Sequence, residues 1–121
     1  MSRSSRSRAG SAISITARQL ASDARESARL ARLTGTGQVN VYYSRAQHGK
    51  IAEDVKDAIK SLDAPPPRGR EVDTKRAVAL AMEMKTLLDA TPPQLAEATA
   101  LSKLEQQHSS IAAELEGIAS R

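Results

Sequence analysis

The chain has 121 residues, a formal net charge of +4, no Cys, Phe or Trp, and only two Tyr. The lack of cysteine excludes disulfides, cysteine-ligated zinc and thiol catalysis. No apolar run approaches the ~20 residues that cross a bilayer, so a membrane protein is not expected. Alanine accounts for 21 residues, whereas Leu, Ile and Val together number 22. Because alanine buries little area, we predict a thin, alanine-rich core, completed in a homo-oligomer or a larger protein assembly.

The N-terminal part of the chain is strongly basic, because residues 1–33 hold seven arginines against two acidic residues. Residues 1–10 offer little to bury and are predicted to be a disordered basic tail ahead of a single helical domain at 11–121. Arg and Ser without acidic residues are also typical of organelle transit peptides. We expect a protein of the cytoplasm or of an assembled particle, with an organelle as the alternative.

The first helix is predicted over 11–33, where Ala, Leu and Ile recur at spacings of three and four. Arginines follow a second side of this helix. Arginine is always charged and its paired N–H groups fit phosphate oxygens, which makes nucleic acid one candidate partner. An acidic protein surface, or self-pairing with the acidic final helix, is an equal candidate, and an anionic membrane is disfavoured because alanine inserts weakly. The predicted contact residues are Arg3, Arg6, Arg8, Arg18, Arg25, Arg29 and Arg32.

Residues 38–43 alternate between apolar and polar side chains, which predicts one short strand. A strand followed by two helices is the element order of a ribbon-helix-helix DNA-binding regulator, in which two copies pair their strands in the major groove. The outward residues would be Gln38, Asn40 and Tyr42, and Gln and Asn suit the reading of adenine. Sequence-specific DNA binding through this segment is therefore the alternative function.

Three further helices follow. Ser44–Gln47 has the form of a capping box and predicts a helix over 44–62. A Pro-rich connector at 63–72 separates it from a helical hairpin at 73–121, with helices over 73–90 and 92–119, the second of them acidic. The final helix keeps a coiled-coil-like apolar spacing, which predicts self-association through this face. The residues of this seam are Leu101, Leu104, His108, Ile111, Leu115 and Ile118.

Catalytic equipment is scarce in this sequence. It has two histidines and no motif for a metal-bound, nucleophilic or phosphate-binding active site. We therefore expect no enzyme activity, metal, cofactor or small-molecule substrate.

The predicted fold is all-α with four helices and one strand. The predicted role is a non-enzymatic helical binding or assembly protein, of the size found among components of phage or mobile-element complexes.

Overall fold

A computed structural model of the protein describes residues 2–90 and 97–121, with side chains from residue 12 onward. Four helices account for most of this part of the chain: α1 (Ser2–Gly35), α2 (Val41–Leu62), α3 (Glu71–Ala90) and α4 (Ala98–Ala119). No strand occurs among the described residues. The prediction of an all-α protein with four helices is therefore confirmed, and the predicted strand is wrong.

Successive helices run antiparallel, as shown by side-chain contacts that join the end of one helix to the beginning of another. The pairs are Thr34 with Ser44, His48 with Leu88, and Arg76 with Glu114. Helix α4 returns beside α1, where Leu101 lies next to Gly35. The chain thus forms an up-down-up-down four-helix bundle, in which each helix has its sequence neighbours beside it and α4 closes against α1.

Helix α1 is the longest element, with 34 residues against 22 in α4. At 1.5 Å per residue these helices are about 51 Å and 33 Å long. The helix begins at Ser2 rather than near Ser11, so its backbone includes residues 2–10, the stretch predicted as a basic tail. This stretch contains no proline, and extending an existing helix costs far less than nucleating a new one.

The segment predicted as a strand is a loop followed by the first turn of α2. Gly37 takes a left-handed conformation, with φ of +70°, in the loop that follows α1. Asn40 then caps α2, because its side-chain oxygen accepts a hydrogen bond of 2.8 Å from the backbone N–H of Tyr43. The predicted cap, Ser44, is instead buried with its hydroxyl oxygen 3.5 Å from that of Thr34. A strand here would need a partner strand, whereas the Asn40 cap is satisfied locally.

The Pro-rich connector is tied to the end of α4. Arg70 binds the side chain of Asp73 at 3.0 Å and donates to the backbone carbonyl of Ile118 at 3.2 Å. Asp73 also pairs with Arg121 at 2.5 Å. These bonds hold the beginning of α3 against the C-terminal end of α4. The predicted start of the last helix, at residue 92, lies outside the described residues.

The core combines small and large side chains from all four helices. Fully buried large side chains include Leu20, Val55, Leu80, Met84 and Leu115. Alanines between them are equally inaccessible, and they allow the helix backbones to approach closely. These alanines include Ala17, Ala24, Ala77, Ala81 and Ala112. Among the described residues, no helix has the length and apolar character needed to cross a membrane.

Because few large side chains fill this core, each one should matter for stability. Leu115 has no exposed surface, whereas Met82 on α3 is 49% exposed. We expect Leu115→Ala to lower the free energy of unfolding by about 2–5 kcal/mol, through lost burial and the cavity left behind. Met82→Ala should change it by no more than about 0.5 kcal/mol. Urea denaturation followed by circular dichroism measures both, and equal effects of the two substitutions would contradict this account of the core.

Candidate anion-binding surface

The bundle turns one face of α1 towards its interior and leaves the rest of the helix surface in solvent. Alanine and leucine occupy the inner face, and four arginines lie along one exposed side, here called the outer face, about 110° around the helix from the inner one. The exposed arginines are Arg18, Arg25, Arg29 and Arg32. The side chains of Arg3, Arg6 and Arg8 lie outside the described residues. The described part of the predicted basic surface is therefore a line of cations on the outside of α1.

One of these arginines is bound by the acidic final helix. The Arg25 guanidinium donates two hydrogen bonds to the Glu116 carboxylate, at 2.5 and 2.8 Å. This hydrogen bonding lowers the pKa of the Glu116 carboxyl below its usual range. Arg76 on α3 also donates two hydrogen bonds to α4, both to one carboxylate oxygen of Glu114, and the shorter is 2.6 Å. The self-pairing of basic and acidic helices thus occurs within one chain, at Arg25.

The other three described arginines of this face remain directed to solvent. Arg29 has one carboxylate nearby, that of Glu26 in the same helix, at 3.8 Å. Among the described contacts, Arg18 and Arg32 form no ion pair. Since no other helix supplies a carboxylate to these three guanidiniums within the part of the chain that the structure describes, their charge is available to an external anion.

The residues predicted to read DNA bases do not form a ribbon. The side chain of Asn40 serves as the cap of α2, and Gln38 lies in the loop before it. Tyr42 is in the first helical turn and is 81% exposed. With no strand at 38–43, this segment offers no β-ribbon for two copies to pair.

The apolar seam of α4 packs inside the monomer. Leu101, His108, Ile111, Leu115 and Ile118 are all buried, and Leu104 is half-buried. Helix α1 covers much of this face, and the remaining helices complete the enclosure. The face predicted for self-association is therefore occupied by the protein's own helices, and a second copy would reach it only if the bundle opened.

A small cavity with polar groups lies among the helices. Its volume is about 10 Å³, and its lining includes Ser27, His48 and His108 among apolar side chains. The His48 Nε2 atom lies 2.8 Å from the backbone carbonyl of Leu88 and donates to it, because a carbonyl oxygen only accepts. The Ser27 hydroxyl and the His108 Nδ1 atom are buried without a hydrogen-bond partner in the described structure. Burial, together with the nearby His48, lowers the pKa of His108 to about 4.

An acidic groove runs between α1 and α2. It has a volume of about 350 Å³ and is lined by Asp23, Asp54 and Asp57 with neighbouring polar side chains. Burial raises the pKa of the Asp23 carboxyl to about 7, with further contributions from Asp54 and Glu26 and an opposing one from Lys50. Within the described part of the chain, no three His, Asp or Glu side chains are arranged to hold a metal ion.

The chain matches no protein-family model, no curated protein and no solved structure. Function must therefore be inferred from the surface and the sequence of this chain itself.

The pKa of His108 gives stability a defined dependence on pH. Because its pKa falls from 6.5 to about 4 on folding, the unfolded chain takes up a proton first as acid is added. The stabilising contribution is complete above pH 6.5 and is lost between pH 6.5 and 4, by about 3 kcal/mol at most. Apart from burial, the cause of this pKa shift is the neighbouring His48. His108→Leu should remove this loss in urea denaturation series at each pH, and an unchanged pH dependence would contradict it.

Asp23 produces the opposite dependence. Its pKa rises from 3.8 to about 7 on folding, so its contribution is complete below pH 3.8 and is lost as the pH rises through 7. Asp23→Asn cannot ionise and should be more stable than the wild type at pH 8, with a much smaller difference at pH 4. Asp57→Asn, an exposed change in the same groove, is the matched control. The same gain in both variants would show that the effect is not specific to Asp23.

Proposed function

We propose that this protein is a non-enzymatic helical binding protein that engages the phosphate backbone of nucleic acid through the outer face of α1. The observation that carries this proposal is the position of Arg18, Arg29 and Arg32. All three are exposed on one helix, and no other helix pairs with them among the described residues. The N-terminal continuation of the same helix adds three more arginines to the sequence.

Phosphate is the anion that best matches such a surface. Guanidinium groups donate parallel hydrogen bonds to phosphate oxygens, and they remain charged at every physiological pH. A line of cations along a helix also matches a polymer whose charges recur at regular intervals. Such binding carries little sequence information, because phosphates are the same at every position.

An acidic protein surface is the second candidate partner. Arg25 of this face donates two hydrogen bonds to the Glu116 carboxylate, at 2.5 and 2.8 Å. An acidic segment of another protein could pair with the neighbouring arginines in the same way. Either partner fits a role in binding or assembly, as in a component of a phage or mobile-element complex.

Salt dependence tests the phosphate proposal. Each phosphate contact contributes about −0.9 to the slope of log affinity against log salt concentration on duplex DNA. We expect a wild-type slope between about −3 and −6, with little preference among sequences. Replacement of Arg18, Arg29 and Arg32 by Gln should make the slope less steep by about 2 to 3 units. Fluorescence anisotropy with labelled duplex DNA at several salt concentrations provides the measurement.

A charge-matched control separates this face from net charge. Arg68, Lys75 and Lys103 are exposed and lie outside α1. Their combined replacement by Gln removes the same charge and should leave most of the slope intact. Equal losses in the two triple variants would show a nonspecific effect of net charge. If the wild type does not bind nucleic acid at low salt but binds an acidic polypeptide, the second candidate replaces the first.

A further inference from the structure

The protein exposes both of its aromatic side chains. Tyr42 and Tyr43 are its only aromatic residues apart from histidine, and they are 81% and 43% exposed. Aromatic rings supply more buried area than any other side chain, and this core is built largely from alanine. Tyr42 in particular contributes little to burial, which points to a role at the surface.

Both rings lie in the first turn of α2. The Asn40 side chain accepts a hydrogen bond of 2.8 Å from the backbone N–H of Tyr43 and so caps the start of the helix. The Tyr43 hydroxyl accepts a hydrogen bond of 3.2 Å from Gln47, one turn later. Tyr42 projects into solvent beside Arg45, since residues three apart are neighbours on a helix surface. The exposed ring therefore lies next to an exposed cation on a capped helix.

The sequence around these rings is basic and contains no acid. Residues 27–52 include no Asp or Glu, whereas they include Arg29, Arg32, Arg45 and Lys50, all exposed. The contact between Thr34 and Ser44 places the end of α1 beside the beginning of α2. We call the first turn of α2 the tyrosine corner: Tyr42, Tyr43 and Arg45, within this acid-free stretch. It places a cation beside two exposed aromatic rings.

We propose that the tyrosine corner binds single-stranded nucleic acid, with a base stacked on Tyr42 and the adjoining phosphate on Arg45. This inference rests on the proposed function and specifies which form of nucleic acid the protein selects. In a duplex the faces of the bases are covered by their neighbours, so an exposed ring finds no stacking partner there. In a single strand each base offers a face, and an aromatic ring beside arginine is the common means of holding it.

An apolar protein partner fits this corner less well. It would cover Tyr42 and Val41, which is 51% exposed, but it would also have to bury or bypass Arg45 at a cost in desolvation. A polyanion with aromatic bases satisfies the rings and the cation together. The complementarity of charge therefore favours nucleic acid as the occupant.

The experiment compares single-stranded and duplex DNA on three variants. An oligothymidylate of about 12 nucleotides and a duplex of equal length are titrated at fixed salt, with anisotropy as the readout. Tyr42→Ala should weaken binding to the single strand by roughly 5- to 100-fold and leave duplex affinity unchanged. Tyr42→Phe keeps the ring and should bind like the wild type. Val72→Ala, at a 79% exposed position on α3, is the matched control for loss of an exposed apolar side chain.

Tyrosine fluorescence gives a second readout that affinity alone does not provide. Because the chain has no Trp, its emission comes from the two tyrosines, and Tyr43→Phe leaves Tyr42 as the only source. Stacking should quench this emission when oligothymidylate is added, and the duplex should quench it much less.

The outcomes separate this inference from the proposed function. A wild type that binds neither DNA at low salt would end the proposed function and this inference with it. A wild type that binds both, with Tyr42→Ala unchanged on the single strand and no quenching, would overturn the tyrosine corner alone. Polyglutamate that displaces oligothymidylate and causes the same quenching would assign the corner to an acidic protein instead. Circular dichroism of Tyr42→Ala should match the wild type, since the residue is almost fully exposed.

Discussion

The small size of the buried alanines is the constraint on which the rest of this bundle depends. Ala17, Ala24, Ala77, Ala81 and Ala112 have no exposed surface, and each contributes only a methyl group to the core. Little apolar area is buried at each of these positions, so the few large side chains between them carry much of the hydrophobic stabilisation. Such a core uses narrow helix faces, which leaves wide outer faces for charge. The exposed arginines of α1 lie on such an outer face.

The helices could be predicted from local residue spacing. What covers each helix face depends on contacts between helices, which local spacing does not show. Spacings of three and four residues identified the inner faces of α1 and α4, as in the case of Leu20 and Leu115. The same spacing does not show what covers a face, and the seam of α4 is covered by the same chain rather than by a second copy. The alternation at 38–43 predicted a strand, but six residues without a partner strand cannot satisfy their backbone. The Asn40 cap, a local interaction, was therefore the better guide to this segment.

The basic surface was only partly predictable for the same reason. Helical spacing placed Arg18, Arg25, Arg29 and Arg32 along one side of a helix, and all four are exposed. The pairing of Arg25 with Glu116 depends on α4 returning antiparallel to α1, which no local pattern encodes. The tyrosine corner was hidden as well, because Tyr42 was assigned to a strand. The absence of acid over residues 27–52 is a signal in the sequence that would have drawn attention to it.

Polar groups inside a thin core have opposing electrostatic effects on stability. His108 is buried on the inner face of α4, and burial moves its pKa to about 4, so acid destabilises the fold through this residue. Asp23 lies between α1 and α2 near Asp54, and its pKa of about 7 makes loss of its proton unfavourable to the fold. Between pH 4 and 6.5 the first contribution increases with pH while the second decreases. The two therefore offset each other in part, so the wild type should vary less with pH over this range than a variant lacking either group. A flat pH profile of the wild-type stability would thus conceal two large opposing contributions, from His108 and Asp23, which only the single variants separate.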